Sequence, residues 1–211
     1  RVAPEQEAAF LARARAEQPG FQLRQLTPHA DERFVIEYVF PEEPNIGAAG
    51  LDIASETNRR EAARSAAARG EVQITAPITL VQASGQVRRG FLMLLPVYRP
   101  GQSLLTAQER ERAAIGWAYA PLVADELLSD LGPRAAEVAI TLTDADESEP
   151  FFRTALGDAE VLPGPHEAGR DIQAAGRRWH MHARPLPAIE RALNPLHPGW
   201  VVSAGLAISM G

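Results

Sequence analysis

The chain has 211 residues, 45% hydrophobic and 23% charged, the composition of a folded protein with enough length for one large domain or two small ones. Its net charge of −6 excludes a general basic surface for nucleic acid, and no run reaches the roughly 18 apolar residues of a complete membrane span. All 21 basic residues are arginine and cysteine is absent, which excludes disulfides, thiolate catalysis and cysteine zinc sites.

Residues 4–18 are rich in helix formers and set Phe10, Leu11 and Ala14 on one stripe; Pro19-Gly20 stops the helix. Alternation in 21–28 and the β-branched, aromatic run 33–40 predict two strands. Prolines, glycines and an asparagine make 41–50 a loop. A helix follows from about Glu56 to Arg69, with Ser55 as N-cap and Gly70 as stop. Residues 71–82 and 90–99 read as strands joined by a hairpin-like "ASGQVRR", and Pro77 and Pro96 inside them argue for edge positions or bulges.

The second half repeats this order. Residues 106–116 are helical, with Thr106 and Glu109 in capping-box spacing. The stretch 117–132 begins extended and turns helical from about Pro121 to Gly132. Residues 136–145 form an apolar strand, and 171–187 read as two strands about an Ala175-Gly176 turn. The repeated order predicts an α+β fold, two small sheet units in series behind a leading helix. The apolar end, 199–211, suits the start of a truncated transmembrane helix with Trp200 at the interface; a final core strand or helix is the alternative.

Signals of catalysis are poor. His180 and His182 share one face of a strand, but no third metal ligand stands at diagnostic spacing, so a surface pair is expected. "DADESEP", 144–150, lacks the calcium-loop pattern and reads as a solvated turn. Ser55, Ser65 and Ser84 lack a nucleophile-elbow context, and no glycine-rich phosphate cradle occurs. No catalytic residue, metal or cofactor is assigned.

What is specific is the central block. It runs through Gly50-Leu51-Asp52, Arg60 on a helix, Gly70, Thr75-Ala76-Pro77 and an apolar strand ending in Pro96-Val97-Tyr98. In this order, together with "RAAIGWAYAPLVADELL", it resembles the CHASE family, the extracytoplasmic sensor domain of cyclase- and histidine-kinase-type receptors. The resemblance is close over about 34–132. It implies a long N-terminal helix and two PAS-like antiparallel-sheet subdomains in tandem, flanked by membrane helices. The expected division is a stalk helix at 1–20, a membrane-distal ligand-binding unit at 21–112 and a membrane-proximal unit at 113–198.

In plant cytokinin receptors of that family, an aspartate just before the motif arginine contacts the adenine ring; the matching position here is Arg59. A guanidinium only donates hydrogen bonds, so Arg59 suits a carboxylate or phosphate better than an adenine-type cytokinin. The alternative is a solvated Arg59. Both Arg59 and Arg60 stand where the helix dipole favours acids, a cost of roughly 0.3–1 kcal/mol that calls for compensation. Arg60 is expected to pair structurally with Asp52, and Gly70 and Pro77 to serve the scaffold. Tyr38, Thr75, Phe91, Met93 and Tyr119 are the expected walls of the ligand cavity. The implied partners are a small molecule and a second copy of the chain, joined through Phe10 and Leu11 of the leading helix. The expected role is a membrane-tethered, periplasmic or extracellular sensor without catalysis of its own. Its receptor's output is left open between a two-component histidine kinase and a cyclic di-GMP cyclase or phosphodiesterase. The rivals are a soluble periplasmic enzyme with an unrecognised site and a ligand-free structural dimerisation module.

Overall fold

The computed structural model describes residues 1–81, 87–129, 138–154 and 167–186. Two compact units divide the chain, Arg1–Leu128 with Gln173–Arg178 and Ser129–Ile172 with Trp179–Gly211. The fold is mixed α+β, with an N-terminal helix and antiparallel sheets.

In the first unit, Pro4–Gln6 makes a 3-10 turn, where proline's missing N–H goes unneeded, and leads into α1 (Glu7–Glu17). Phe10 and Ala14, one helical turn apart, bury against Val2 and Phe21; the two phenylalanine rings meet edge-on at 5.8 Å. The two strands expected across 21–40 do not form. Only Arg24–Gln25 (β1) pairs, in parallel, with Leu51–Asp52 (β2), while Arg33 and Val35 make isolated bridges to Val2 and Asp52. The apolar residues that suggested a ladder serve burial instead: Phe34 and Ile36 enter the main core, and the Phe34 N–H donates to the Asp52 carboxylate at 2.9 Å. Residues 41–50, expected as loop, contain a short helix, α2 (Glu42–Asn45), and a 3-10 turn (Ile46–Ala48). Two acids in the first turn of α2 suit a helix N-terminus.

The next helix, α3 (Thr57–Arg69), ends at Gly70 with φ 75°, a left-handed conformation that glycine adopts without a Cβ penalty. Its N-cap is Glu56 and not Ser55. Ser55 closes a preceding 3-10 turn (Ile53–Ser55), donating to the Asp52 carbonyl and accepting from the Leu26 N–H at 2.9 Å. Ala62, Ala63, Ala66 and Ala67 form the buried stripe of α3. Such small side chains let the helix backbone come close to the sheet. Trp117 Nε1 donates to the Ala63 carbonyl at 2.8 Å, and the Tyr98 hydroxyl to that of Ala67 at 2.7 Å.

That sheet is organised by β5 (Val87–Tyr98), with β6 (Ala114–Val123) along one side and β3 (Gln73–Ile74) and β4 (Ile78–Val81) in tandem along the other, all antiparallel to it. The single strand expected over 71–82 is therefore broken, and Pro77, which cannot donate to a ladder, lies in the break. Thr75 spans it: its N–H donates to the Leu92 carbonyl at 3.1 Å, and its hydroxyl accepts from the Leu92 N–H at 3.0 Å. Pro96 lies beyond the last β3 pair, Gln73↔Leu94. Pro121, expected to open a helix, sits inside β6 opposite Leu92, because tertiary pairing overrides its local preference; α5 (Ala124–Ser129) starts later. The first unit runs on through β6 to Leu128. Between β5 and β6, α4 (Ala107–Ala113) has the full capping box that Thr106 and Glu109 predict.

The sheet built largely from residues of the second unit has the order β8-β7-β10-β9, from β7 (Val138–Asp144), β8 (Pro150–Arg153), β9 (Ala168–Ala174) and β10 (Arg177–Pro185). The hairpin turn Ala175-Gly176 is as expected, whereas nothing in the sequence pattern announced β8. Leu142, Phe151, Phe152 and Trp179 are buried, with the Phe151 and Trp179 rings 5.0 Å apart. The turn at 144–150 is not wholly solvated as expected: Asp144 is 1% exposed and accepts from the Asp146 N–H at 3.1 Å. The apolar segment 199–211 lies outside the described residues.

Candidate ligand-sensing site

The start of α3 carries two arginines, and Glu56 is what compensates them. Its carboxylate accepts the N–H groups of Asn58 and Arg59, each at 3.0 Å, putting a negative charge where the dipole needs one. Arg59 continues the line of Ala62, Ala63 and Ala66 and is only 8% exposed. It is not the solvated arginine of the alternative reading. Its Nη2 donates to the Thr79 carbonyl on β4 at 3.0 Å. Its Nε is buried without a hydrogen-bond partner and lies 3.8 Å from a Glu56 oxygen. Burial pushes the pKa of this guanidinium down, and Glu56 partly opposes that. The result is a desolvated cation with one carbonyl, one distant carboxylate and donor capacity left over.

Arg60 does not pair with Asp52. Its Nη1 donates to the Ala54 carbonyl at 2.7 Å, closing the 3-10 turn that precedes α3. Asp52 is fully buried and is satisfied by others: the N–H groups of Phe34 and Ala54, at 2.9 and 3.0 Å, and His29 Nε2 at 2.8 Å, with Arg33 3.8 Å away. His29 and Arg33 were invisible to sequence reasoning, because the pairing spans 23 positions and matches no motif. Gly70 is the left-handed cap described above, and a Cβ there would lie 3.1 Å from Arg110 Cδ.

The expected cavity walls are not brought together. Leu92 and Leu94 belong to the core under α3, so their β5 neighbours Phe91 and Met93 face the opposite side of the sheet. Phe91 is fully buried there and Met93 half-buried. Tyr119, opposite Leu94, packs against the α3-side core, and burial raises the pKa of its hydroxyl. Thr75 is fully buried and uses its hydroxyl in the strand break. Tyr38 is 62% exposed, its hydroxyl donating to Glu17 at 3.1 Å. Of the six candidates, Arg59 and Tyr119 share the α3 side.

Phe10, expected at a two-fold contact, is buried against Phe21 in its own chain, and Leu11 packs partly against the same cluster. His180 and His182 are half-exposed on β10 and pair separately, with Asp171 at 2.6 Å and Glu167 at 3.3 Å. Among the described residues no three such side chains are placed to hold a metal ion.

A helix laid over an antiparallel sheet, with a desolvated arginine on the inner face of its first turn, makes the first unit a small α+β module. The family model of the CHASE domain matches residues 1–152, and the chain belongs to the CHASE family. CHASE domains are ligand-sensing and not catalytic, and are extracytoplasmic parts of membrane receptors. No curated protein is detectably similar to the chain. Among the described residues no helix is long and apolar enough to cross a membrane.

Proposed function

We propose that this chain is the extracytoplasmic small-ligand sensor module of a membrane-bound signalling receptor, and that Arg59 reads an anionic group of the ligand. The two sheet units stand for the membrane-distal and membrane-proximal PAS-like subdomains, with the ligand taken by the distal one and the response passed to a cytoplasmic output domain. A ligand shifts such a receptor only through its differential affinity for two states. The observation that carries the reading is Arg59: 8% exposed, on the inner stripe of α3, with an unpartnered Nε. A buried guanidinium with spare donors is well suited to bidentate capture of a carboxylate or phosphate and ill suited to the donor groups of adenine.

Calorimetric titration of wild type, Arg59→Ala and Arg59→Asp with small organic acids and an adenine cytokinin tests it. Saturable binding of an acid, weakened about 10- to 100-fold in Arg59→Ala and further in Arg59→Asp, is the expected result, since a charge-assisted hydrogen bond contributes about 1.5–3 kcal/mol. Tight cytokinin binding that ignores Arg59→Ala would overturn the reading.

A further inference from the structure

Beside the start of α3, residues 27–29, 55–57 and Arg60 line a groove of about 300 Å³. Thr27, His29, Glu56, Thr57 and Arg60 are among its walls, and Arg59 is not. Two opposite charges share this groove without meeting. Glu56 and Arg60 are four residues apart, the spacing at which helical ion pairs form, yet among the described residues no ion pair joins them. Glu56 directs its oxygens to the N–H groups of Asn58 and Arg59. Arg60 reaches back to the Ala54 carbonyl at 2.7 Å and to the Thr57 hydroxyl at 3.4 Å. Each retains capacity, Glu56 in its remaining lone pairs and Arg60 in N–H groups beyond those two bonds.

His29 is a wall of the groove held by the scaffold. Its Nε2 lies 2.8 Å from the Asp52 carboxylate, which already accepts two backbone N–H groups. Its Nδ1 is shut off from solvent and so makes no contact inside the groove. The walls are held in place beforehand, since Ser55 and Asp52 tie both sides of the groove together.

We propose that this groove is a second binding site, separate from Arg59, for a small zwitterion of amino-acid type. Arg60 takes the carboxylate and Glu56 the ammonium N–H groups, with the Thr57 hydroxyl adding a contact. A simple anion is disfavoured because Glu56 would repel it, and a simple cation because Arg60 would. The volume stands at the small end of ligand sites, which suits an amino acid.

The test is calorimetric titration of the whole chain with L-alanine and L-serine, beside N-acetyl-L-alanine and L-alaninamide, each of which lacks one of the two charges. Saturable binding of an amino acid is expected, at least about tenfold weaker for both derivatives. Arg60→Gln should weaken it about 10- to 100-fold and Thr57→Val several-fold, while Arg59→Ala leaves it unchanged. Thr57 is exposed and its change keeps the Arg60 contact to Ala54, so this variant serves if Arg60→Gln fails to fold. The proposal is overturned if neither amino acid binds, or if the acetylated and amidated forms bind equally well. It is also overturned if Arg59→Ala abolishes binding that Arg60→Gln spares. That last result would assign the ligand to the inner site, so the two readings fail separately.

Discussion

Arg59 and Arg60 are neighbours on one turn of α3, and the two regions they enter treat charge differently. On the inner side Arg59 lies against β4, desolvated, its nearest carboxylate 3.8 Å away and its Nε without a partner. On the outer side Asp52 is more deeply buried still, but its oxygens are matched by two backbone N–H groups and His29, with Arg33 close by. Buried charge is tolerable when hydrogen bonds surround it and costly when they are missing. The contrast separates a buried charge matched by its surroundings, Asp52, from one left short of partners, Arg59, and that shortage is what the proposed ligand role rests on.

The largest test of that contrast is Asp52→Ala. It leaves His29, Arg33 and two backbone N–H groups without their acceptor, and a loss of about 3–5 kcal/mol in urea unfolding is expected, as for other broken buried charge networks. A loss under 1 kcal/mol would mean that the outer region is no better satisfied than the inner one. The second test has the opposite sign. Arg59→Met replaces a poorly matched buried cation with an apolar chain of similar length, and should raise stability by about 1–4 kcal/mol while abolishing anion binding. If Arg59→Met destabilises the protein, the arginine is structural, and the comparison fails on its inner side.

The smallest effect lies away from both regions, at the exposed capping box of α4, and sets the scale for charge at the surface. The Thr106 N–H donates to the Glu109 carboxylate at 2.9 Å, and this bond holds the Glu109 pKa below its ordinary 4.5. A depressed acid contributes stability above its unfolded pKa and loses it as pH falls through the folded one. Protection of the Thr106 amide, its exchange rate compared with that of the unfolded chain at the same pH, should therefore fall as pH drops below about 4.5, and Glu109→Gln should remove that dependence. An unchanged pH profile in Glu109→Gln would discard the capping explanation.

Much of the short-range structure was legible. Helix α1 follows from the Phe10–Ala14 stripe, the α4 box from Thr106 and Glu109, the end of α3 from Gly70, and the β9–β10 hairpin from its two-residue turn. Each of these is encoded within about four residues, the reach of helical periodicity and turn chemistry. The family, too, was legible, because its motif lies in a continuous block of the chain. At the candidate site, the resemblance and the helix-start position marked Arg59 but could not tell whether it was buried or solvated.

The tertiary structure decided the rest. Pro121 is in a strand because β6 runs along β5, and 33–40 is not a regular strand because its apolar side chains are drawn into the core under α3. Which face of β5 each residue takes depends on where α3 docks, which put Phe91 and Met93 on the opposite side from Arg59. The His29–Asp52 bond joins residues 23 positions apart, and Arg59 meets Thr79 across 20. No local periodicity records such distances. They are fixed only when burial of the whole unit selects one arrangement of its polar groups, each of which must find a partner once water is excluded.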